Sequence, residues 1–125
     1  EFVNAEDTLD SGLRGLALGV AEAVDLGARE SIHVMVPGPD FESRSCDRRI
    51  LANEGADVVG MSMLSEARVA ALYKRRVLGL GFVTDDDIEV MDHDKHQARA
   101  RASSAKLGAL LDGIVRGITK SKPTA

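Results

Sequence analysis

Aromatic side chains are nearly missing from this sequence: no Trp, one Tyr and three Phe, 3% of 125 residues. Its core must therefore be built from Val, Leu, Ile, Met and Ala. There is one cysteine, Cys46, which excludes an intramolecular disulfide framework and suits a reducing compartment. No apolar run approaches the roughly 18 residues that a membrane span needs, and no signal-peptide core is visible. A cytoplasmic location with no membrane partner is the expectation. Excess positive charge is lacking too. The formal net charge is −4 and no basic stripe interleaves with aromatics, which argues against a nucleic-acid partner. An initiator Met is also absent. Glu1-Phe2 stands directly ahead of what reads as mid-domain sequence, as expected of a processed, cloned or split fragment.

What is present is ordinary for one folded domain. Apolar residues make up 44% and charged residues 29%, and a chain of this length buries a real core without a metal or disulfide staple. Leu9, Leu13, Leu16, Val20 and Val24 recur at helical spacing, which predicts an amphipathic helix over about residues 6–28. Gly12, Gly15 and Gly19 lie inside it, each costing about 1 kcal/mol relative to Ala, a cost that a close-packed neighbour would offset. Ile32 to Val36 reads as a short buried strand ended by Pro37-Gly38-Pro39. Ser43 can cap a helix to about Asn53, with Gly55 as a left-handed stop. Ala56 to Met61 is a second strand, followed by a helix capped by Ser62 or Ser65 and running through Val69, Leu72 and Tyr73. Val77 to Val83 is a third strand, apolar almost throughout as a strand covered on both faces should be. The acidic stretch Asp85 to Asp94 is a loop. Leu107, Leu110, Leu111, Ile114 and Ile118 mark a closing helix, and residues 120–125 a frayed tail.

Helices alternating with strands imply an α/β fold, a layered αβα arrangement around a mostly parallel sheet. In such sheets ligands sit beyond the carboxyl ends of the strands, so the residues after Val36, Met61 and Val83 are the ones to weigh. After the first come Gly38-Pro39-Asp40-Phe41-Glu42. The bland alternative is a turn with an acidic residue near a helix N-terminus. After the second, Gly60-Met61-Ser62 places a hydroxyl and backbone N–H groups at a helix start, which serves an anion site or a plain cap. After the third comes Thr84-Asp85-Asp86-Asp87. Such carboxylates are usually solvated, though a buried one could bond a base edge.

Taken together, Gly38-Pro39-Asp40-Phe41-Glu42, Gly55-Ala56-Asp57-Val58-Val59-Gly60-Met61-Ser62, Glu66 and Val83-Thr84-Asp85 resemble the purine nucleoside phosphorylase and methylthioadenosine phosphorylase family in order and spacing. The resemblance covers nearly all of the chain, but only about the C-terminal half of a family member. It implies an incomplete phosphorylase/hydrolase-like fold and a pentosyltransferase reaction: purine nucleoside plus phosphate gives purine plus ribose 1-phosphate. By resemblance, Phe41, Glu42, Val59, Asp85 and Asp87 bind the purine. Asp85 is also the catalytic contact to N7. Met61 and His96 meet the ribose, and Ser62 bonds phosphate. His33 is structural or at the pocket wall. No cofactor is implied beyond phosphate as co-substrate, and the partner is a second copy in a homotrimer or an N-terminal-half chain.

Glu42 resembles the 6-oxopurine enzymes, whereas Thr84-Asp85-Asp86-Asp87 resembles the methylthioadenosine enzymes, so methylthioadenosine phosphorylase is the alternative activity. The family's phosphate loop, Arg, catalytic His and ribose-contacting aromatic have no counterpart here. The chain alone is therefore expected to be inactive, or to be a purine-binding or assembly subunit. Asp92, His93, Asp94 and His96 near Asp85 to Asp87 could bind zinc or manganese, but nothing in their spacing fixes ligands. Cys46, expected inside a helix, reads as a small buried hydrophobe rather than a nucleophile.

Overall fold

A computed structural model describes residues 8–38, 45–83 and 93–120. Along them run α1 (Ser11–Ala23), β1 (His33–Met35), α2 (Ser45–Asn53), β2 (Val58–Gly60), α3 (Leu64–Leu72) and α4 (His93–Lys120). The two strands pair in parallel with His33 opposite Val58, Val34 opposite Val59 and Met35 opposite Gly60. Parallel neighbours joined through a helix are the unit of an α/β fold, and that class is what the chain adopts.

The helix α1 is shorter than its hydrophobic spacing predicts. Asp10 stops it at the front, its carboxylate accepting the Leu13 N–H at 2.8 Å, a cap that satisfies one of the orphan donors of the first turn. Asp25 stops it at the back in the left-handed region, at φ 52°. Its inner face packs on α4. Ala17, Ala21, Leu110 and Ile114 form the buried cluster, with Leu16, Val20, Leu26 and Leu78 against it.

Of the three glycines expected to sit against a neighbour, Gly12 does: a Cβ there would lie 3.1 Å from Arg76 Nη2 and 3.2 Å from Asp10 Oδ1. Among the described residues a Cβ on Gly15 or Gly19 would meet nothing within 4 Å, so no described neighbour offsets their helical cost. On α4, by contrast, a Cβ on Gly113 would lie 2.5 Å from Val20 Cγ1, and one on Gly117 would lie 2.6 Å from Leu16 Cδ1. The tight seam is thus cut into the closing helix. Lys106 fastens its flank, its Nζ bonding both the backbone carbonyl and the carboxylate of Asp25.

Other expectations change at the ends of elements. Gly55 does stop α2, at φ 95°. Cys46 lies in α2, and Lys120 belongs to α4 instead of opening a tail. The helix α4 includes His93 and Asp94, so the last two residues of the expected acidic loop are helical. Residues 77–83 form no strand. A strand exists only through its ladder, and among the described residues nothing pairs with this segment. No helix of the described residues is long and apolar enough to cross a membrane.

Candidate functional site

Because β1 and β2 run in parallel, their carboxyl ends emerge on one edge. The ladder extends a residue past β1, where the Val36 N–H donates to the Gly60 carbonyl at 2.9 Å. The opposite edge is clamped as well. Asp57 N–H and Val58 N–H donate to the Ile32 carbonyl, and the Asp57 carboxylate accepts the Ile32 N–H at 2.7 Å. Asp57, part of the family-like string, thus has a structural role, locking the register that aligns the two strand ends.

Beyond β2 the chain turns sharply through Met61, Ser62 and Met63 into α3. Val59 is half-buried, while Met61 and Ser62 are exposed. Neither serine caps the helix. Met63 holds the N-cap position with φ 88°, a left-handed backbone that non-glycine residues rarely adopt. Its N–H donates to Glu66 Oε2 at 3.0 Å, so the helix reaches back through Glu66 to fix its own entry. Ser65 Oγ instead lies 3.8 Å from Met35 Sδ. The hydroxyl of Ser62, with no capping duty, stands on the sheet edge two residues ahead of α3. Oriented N–H groups at a helix start favour an anion there.

Two contacts brace this turn, and the sequence pattern named neither as a site feature. The Met63 side chain fills the space that a Cβ on Gly79 would need. The His33 ring lies across Gly60, its Nε2 3.0 Å from where a Gly60 Cβ would stand, and its Nδ1 is buried without a hydrogen-bond partner among the described residues. Gly60 and Gly79 were the legible signals, as isolated glycines in apolar runs often mark close approach. His33 is therefore a packing element under the turn, in line with a structural role.

Of the expected site residues, the structure places Val59 on β2 and Met61 and Ser62 on the turn that follows it. Phe41 and Glu42 lie outside the described residues, as do Asp85 and Asp87. His96 falls within α4, and its side chain lies outside them too, as do those of His93 and Asp94, so the metal-ligand grouping is not described. An open apolar hollow of about 200 Å³, lined by Val36, Asp47, Ile50 and Leu51, opens where β1 meets α2. Ligand pockets enclose about 300–1,000 Å³, so the described residues supply a wall and an edge, not an enclosure.

The family model of the phosphorylase superfamily matches residues 2–116. The chain belongs to that superfamily. Within the phosphorylase superfamily it is similar to the purine nucleoside phosphorylase of Mycobacterium tuberculosis, at 33% identity over 119 residues covering 92% of this chain and 42% of that enzyme. Its structure is similar to isoform 2 of purine nucleoside phosphorylase from Schistosoma mansoni in complex with cytosine and ribose-1-phosphate. There the TM-score is 0.83 at 25% identity, over 91% of this chain and 42% of that one. A schistosoma purine nucleoside phosphorylase in complex with hypoxanthine gives a TM-score of 0.81 at 28% identity, over 91% and 43%. The chain thus spans less than half the length of the phosphorylases it matches, and its fold is an incomplete version of theirs.

Proposed function

We propose that this chain supplies the purine-facing part of a purine nucleoside phosphorylase, which converts a purine nucleoside and phosphate to free purine and ribose 1-phosphate. The observation that carries the reading is the turn after β2. It presents Met61 and Ser62 beside the carboxyl end of β1 in a fold that follows purine nucleoside phosphorylases over 91% of its length. Phe41 and Glu42, which follow β1 in sequence, take the base in this reading. Met61 and His96 take the sugar, Ser62 the phosphate, and Asp85 the N7 of the departing purine, with Val59 and Asp87 beside the base. Phosphate is the co-substrate and no further cofactor is needed. The homotrimer, the purine-salvage role and the cytoplasmic setting belong to the same proposal.

Glycosidic cleavage by phosphate needs the anion held against a developing sugar cation while charge on the leaving base is neutralised. Both depend on positioning and fixed electrostatics. Ser62 and its neighbouring N–H groups provide one contact to phosphate, and no cation beside them is described. The chain is therefore expected to be inactive alone, with the main phosphate contacts coming from the part of the fold it does not span.

The test follows hypoxanthine release from inosine and phosphate. The 125-residue chain is assayed alone, and again with a polypeptide comprising the N-terminal part of the M. tuberculosis enzyme that it does not match. Turnover only in the mixture supports the reading. An intact complex that neither binds hypoxanthine nor turns over inosine would leave an assembly role instead.

A further inference from the structure

Among the described residues three besides glycine have a positive φ: Asp25 at 52°, Met63 at 88° and Lys74 at 53°. Two of them have an ordinary explanation. Asp25 and Lys74 each stand one residue past a helix C-cap, Val24 and Tyr73, where left-handed backbone is a common way to end a helix. Met63 stands at the opposite end, at the N-cap of α3, with φ 88° and ψ −50°. That backbone lies outside the left-handed helical well and close to the strained form of the γ-turn. An N-cap calls instead for extended backbone and a side-chain oxygen. Asp10 meets both needs at α1, with φ −78°, ψ 120° and its carboxylate on the Leu13 N–H. Met63 meets neither, so the start of a helix does not account for its conformation.

Contacts on every side hold it there. The Met63 N–H donates to Glu66 Oε2 at 3.0 Å, and its carbonyl accepts the Ala67 N–H at 2.9 Å. Its side chain occupies the space that Gly79 leaves by having no Cβ. In the first turn of α3, Ser65 Oγ reaches Met35 Sδ at 3.8 Å and ties the helix start to β1. Strained backbone persists only where its surroundings over-determine it, and such outliers cluster at ligand sites. Ser62 is joined to α3 through Met63 alone. The two Met63 dihedrals therefore set where the Ser62 hydroxyl stands relative to the first N–H groups of the helix. Glycine would take this backbone without strain, but it would empty the space over Gly79 and let the turn relax.

We infer that Met63 is a positioning residue for the phosphate contact. Its strained backbone, locked by Glu66 and by the fit of its side chain over Gly79, aims the Ser62 hydroxyl and the first N–H groups of α3 at one anion. The inference rests on the phosphorylase reading for the identity of that anion; the fixing of the turn does not depend on it.

Two measurements test it separately. Nitrogen-15 relaxation on the chain alone reads the backbone amides of residues 62–64. Their order parameters should be about 0.85 in the wild type and fall below about 0.6 in Met63→Gly and in Glu66→Ala. Met63→Leu refills the space over Gly79 and Glu66→Gln keeps an acceptor for the Met63 N–H, so both should restore the rigid values. In the assembly complemented with the N-terminal part of the M. tuberculosis enzyme, inosine cleavage is followed at varied phosphate and varied inosine. There Met63→Gly should raise the KM for phosphate about tenfold and the KM for inosine less than about twofold, and Met63→Leu should return the first to the wild-type value. If Met63→Gly does not fold, Glu66→Ala carries the same expectations. Amides that stay rigid in the folded variant overturn the inference. So does an unchanged KM for phosphate, or an equal rise in both KM values, which would make Met63 structural only. A wild-type assembly that cleaves no inosine would sink the catalytic reading, and the relaxation measurement then decides by itself whether Met63 fixes the turn.

Discussion

Arg76 grips the carboxylate of Asp10 at two points, Nε to Oδ2 at 2.5 Å and Nη2 to Oδ1 at 2.8 Å. The same carboxylate caps α1, and the backbone N–H of Asp10 bonds Val77. One residue thus joins the start of the first helix to the start of 77–83.

That pairing predicts an acid-sensitive contribution to stability. The Arg76 guanidinium, followed by the Leu13 N–H, holds the Asp10 carboxyl far below the usual carboxylate range. A depressed folded-state pKa contributes stability that is full above the unfolded value, about 4, and is lost as pH falls through the folded one. Asp10→Asn keeps an oxygen for the Leu13 N–H but removes the charge. It should melt below the wild type at pH 7, with a gap that narrows steadily below about pH 4. Thermal melts at both pH values check this, and a gap independent of pH would contradict it.

Substitutions in the α1–α4 seam should separate two glycines of one helix. An added methyl at Gly113 meets Val20 and one at Gly117 meets Leu16. Val is stiff at χ1 in a helix, whereas Leu can swing its terminal methyls away. Gly113→Ala should therefore destabilise by about 1–3 kcal/mol through overpacking. Gly117→Ala should cost less, because the gain in helix propensity, about 1 kcal/mol, offsets a smaller strain. Urea unfolding of the two variants decides the order, and Val20→Ala should rescue Gly113→Ala.

Neighbouring residues of α4 should differ sharply in cost. Ile114 is 5% exposed in the core cluster and Val115 is 60% exposed. Ile114→Ala should lose about 2–5 kcal/mol by cavity formation, and Val115→Ala no more than about 0.5 kcal/mol. Equal losses in chemical denaturation would mean that the outer face of α4 is covered in solution.

Ser62→Ala addresses the proposed phosphate contact. In the complemented assembly it should raise the KM for phosphate by about 10- to 100-fold, the equivalent of a hydrogen bond to a charged group, with little change in the KM for inosine. Because Met63 and Glu66, not Ser62, make the entry to α3, the fold should not change, and circular dichroism can verify it. An equal rise in both KM values would assign Ser62 to the shape of the turn.

The parts of the fold written in local pattern were legible. Valine-rich runs gave β1 and β2, and the glycine after α2 gave its stop. The glycine-punctuated string through Gly60 and Ser62 pointed to the turn that the structure forms. What escaped was non-local. No spacing rule pairs Asp10 with Arg76, and the helix glycines that matter, Gly113 and Gly117, are identified only by the α1 residues that lie against them. The segment 77–83 reads as a strand because its composition anticipates neighbours that the described residues do not contain. Composition records the environment a segment is suited to, and the ladder decides whether it has it. The candidate site was legible to a similar degree: the end of β2 at Val59 and the turn through Met61 and Ser62 are formed, while Phe41, Glu42, Asp85 and Asp87 fall outside the described residues.

The ring of His33 resting on Gly60 ties two sequence positions into one allotment of space. A methyl at 60 is crowded while an imidazole occupies 33, which would have to shift by a few tenths of an ångström, and it becomes tolerable once 33 is cut back. Gly60→Ala should therefore be harmful on its own and mild alongside His33→Ala. Over evolutionary time the two positions should drift as a linked pair, with large–small exchanging for small–large and the combination of two bulky residues avoided.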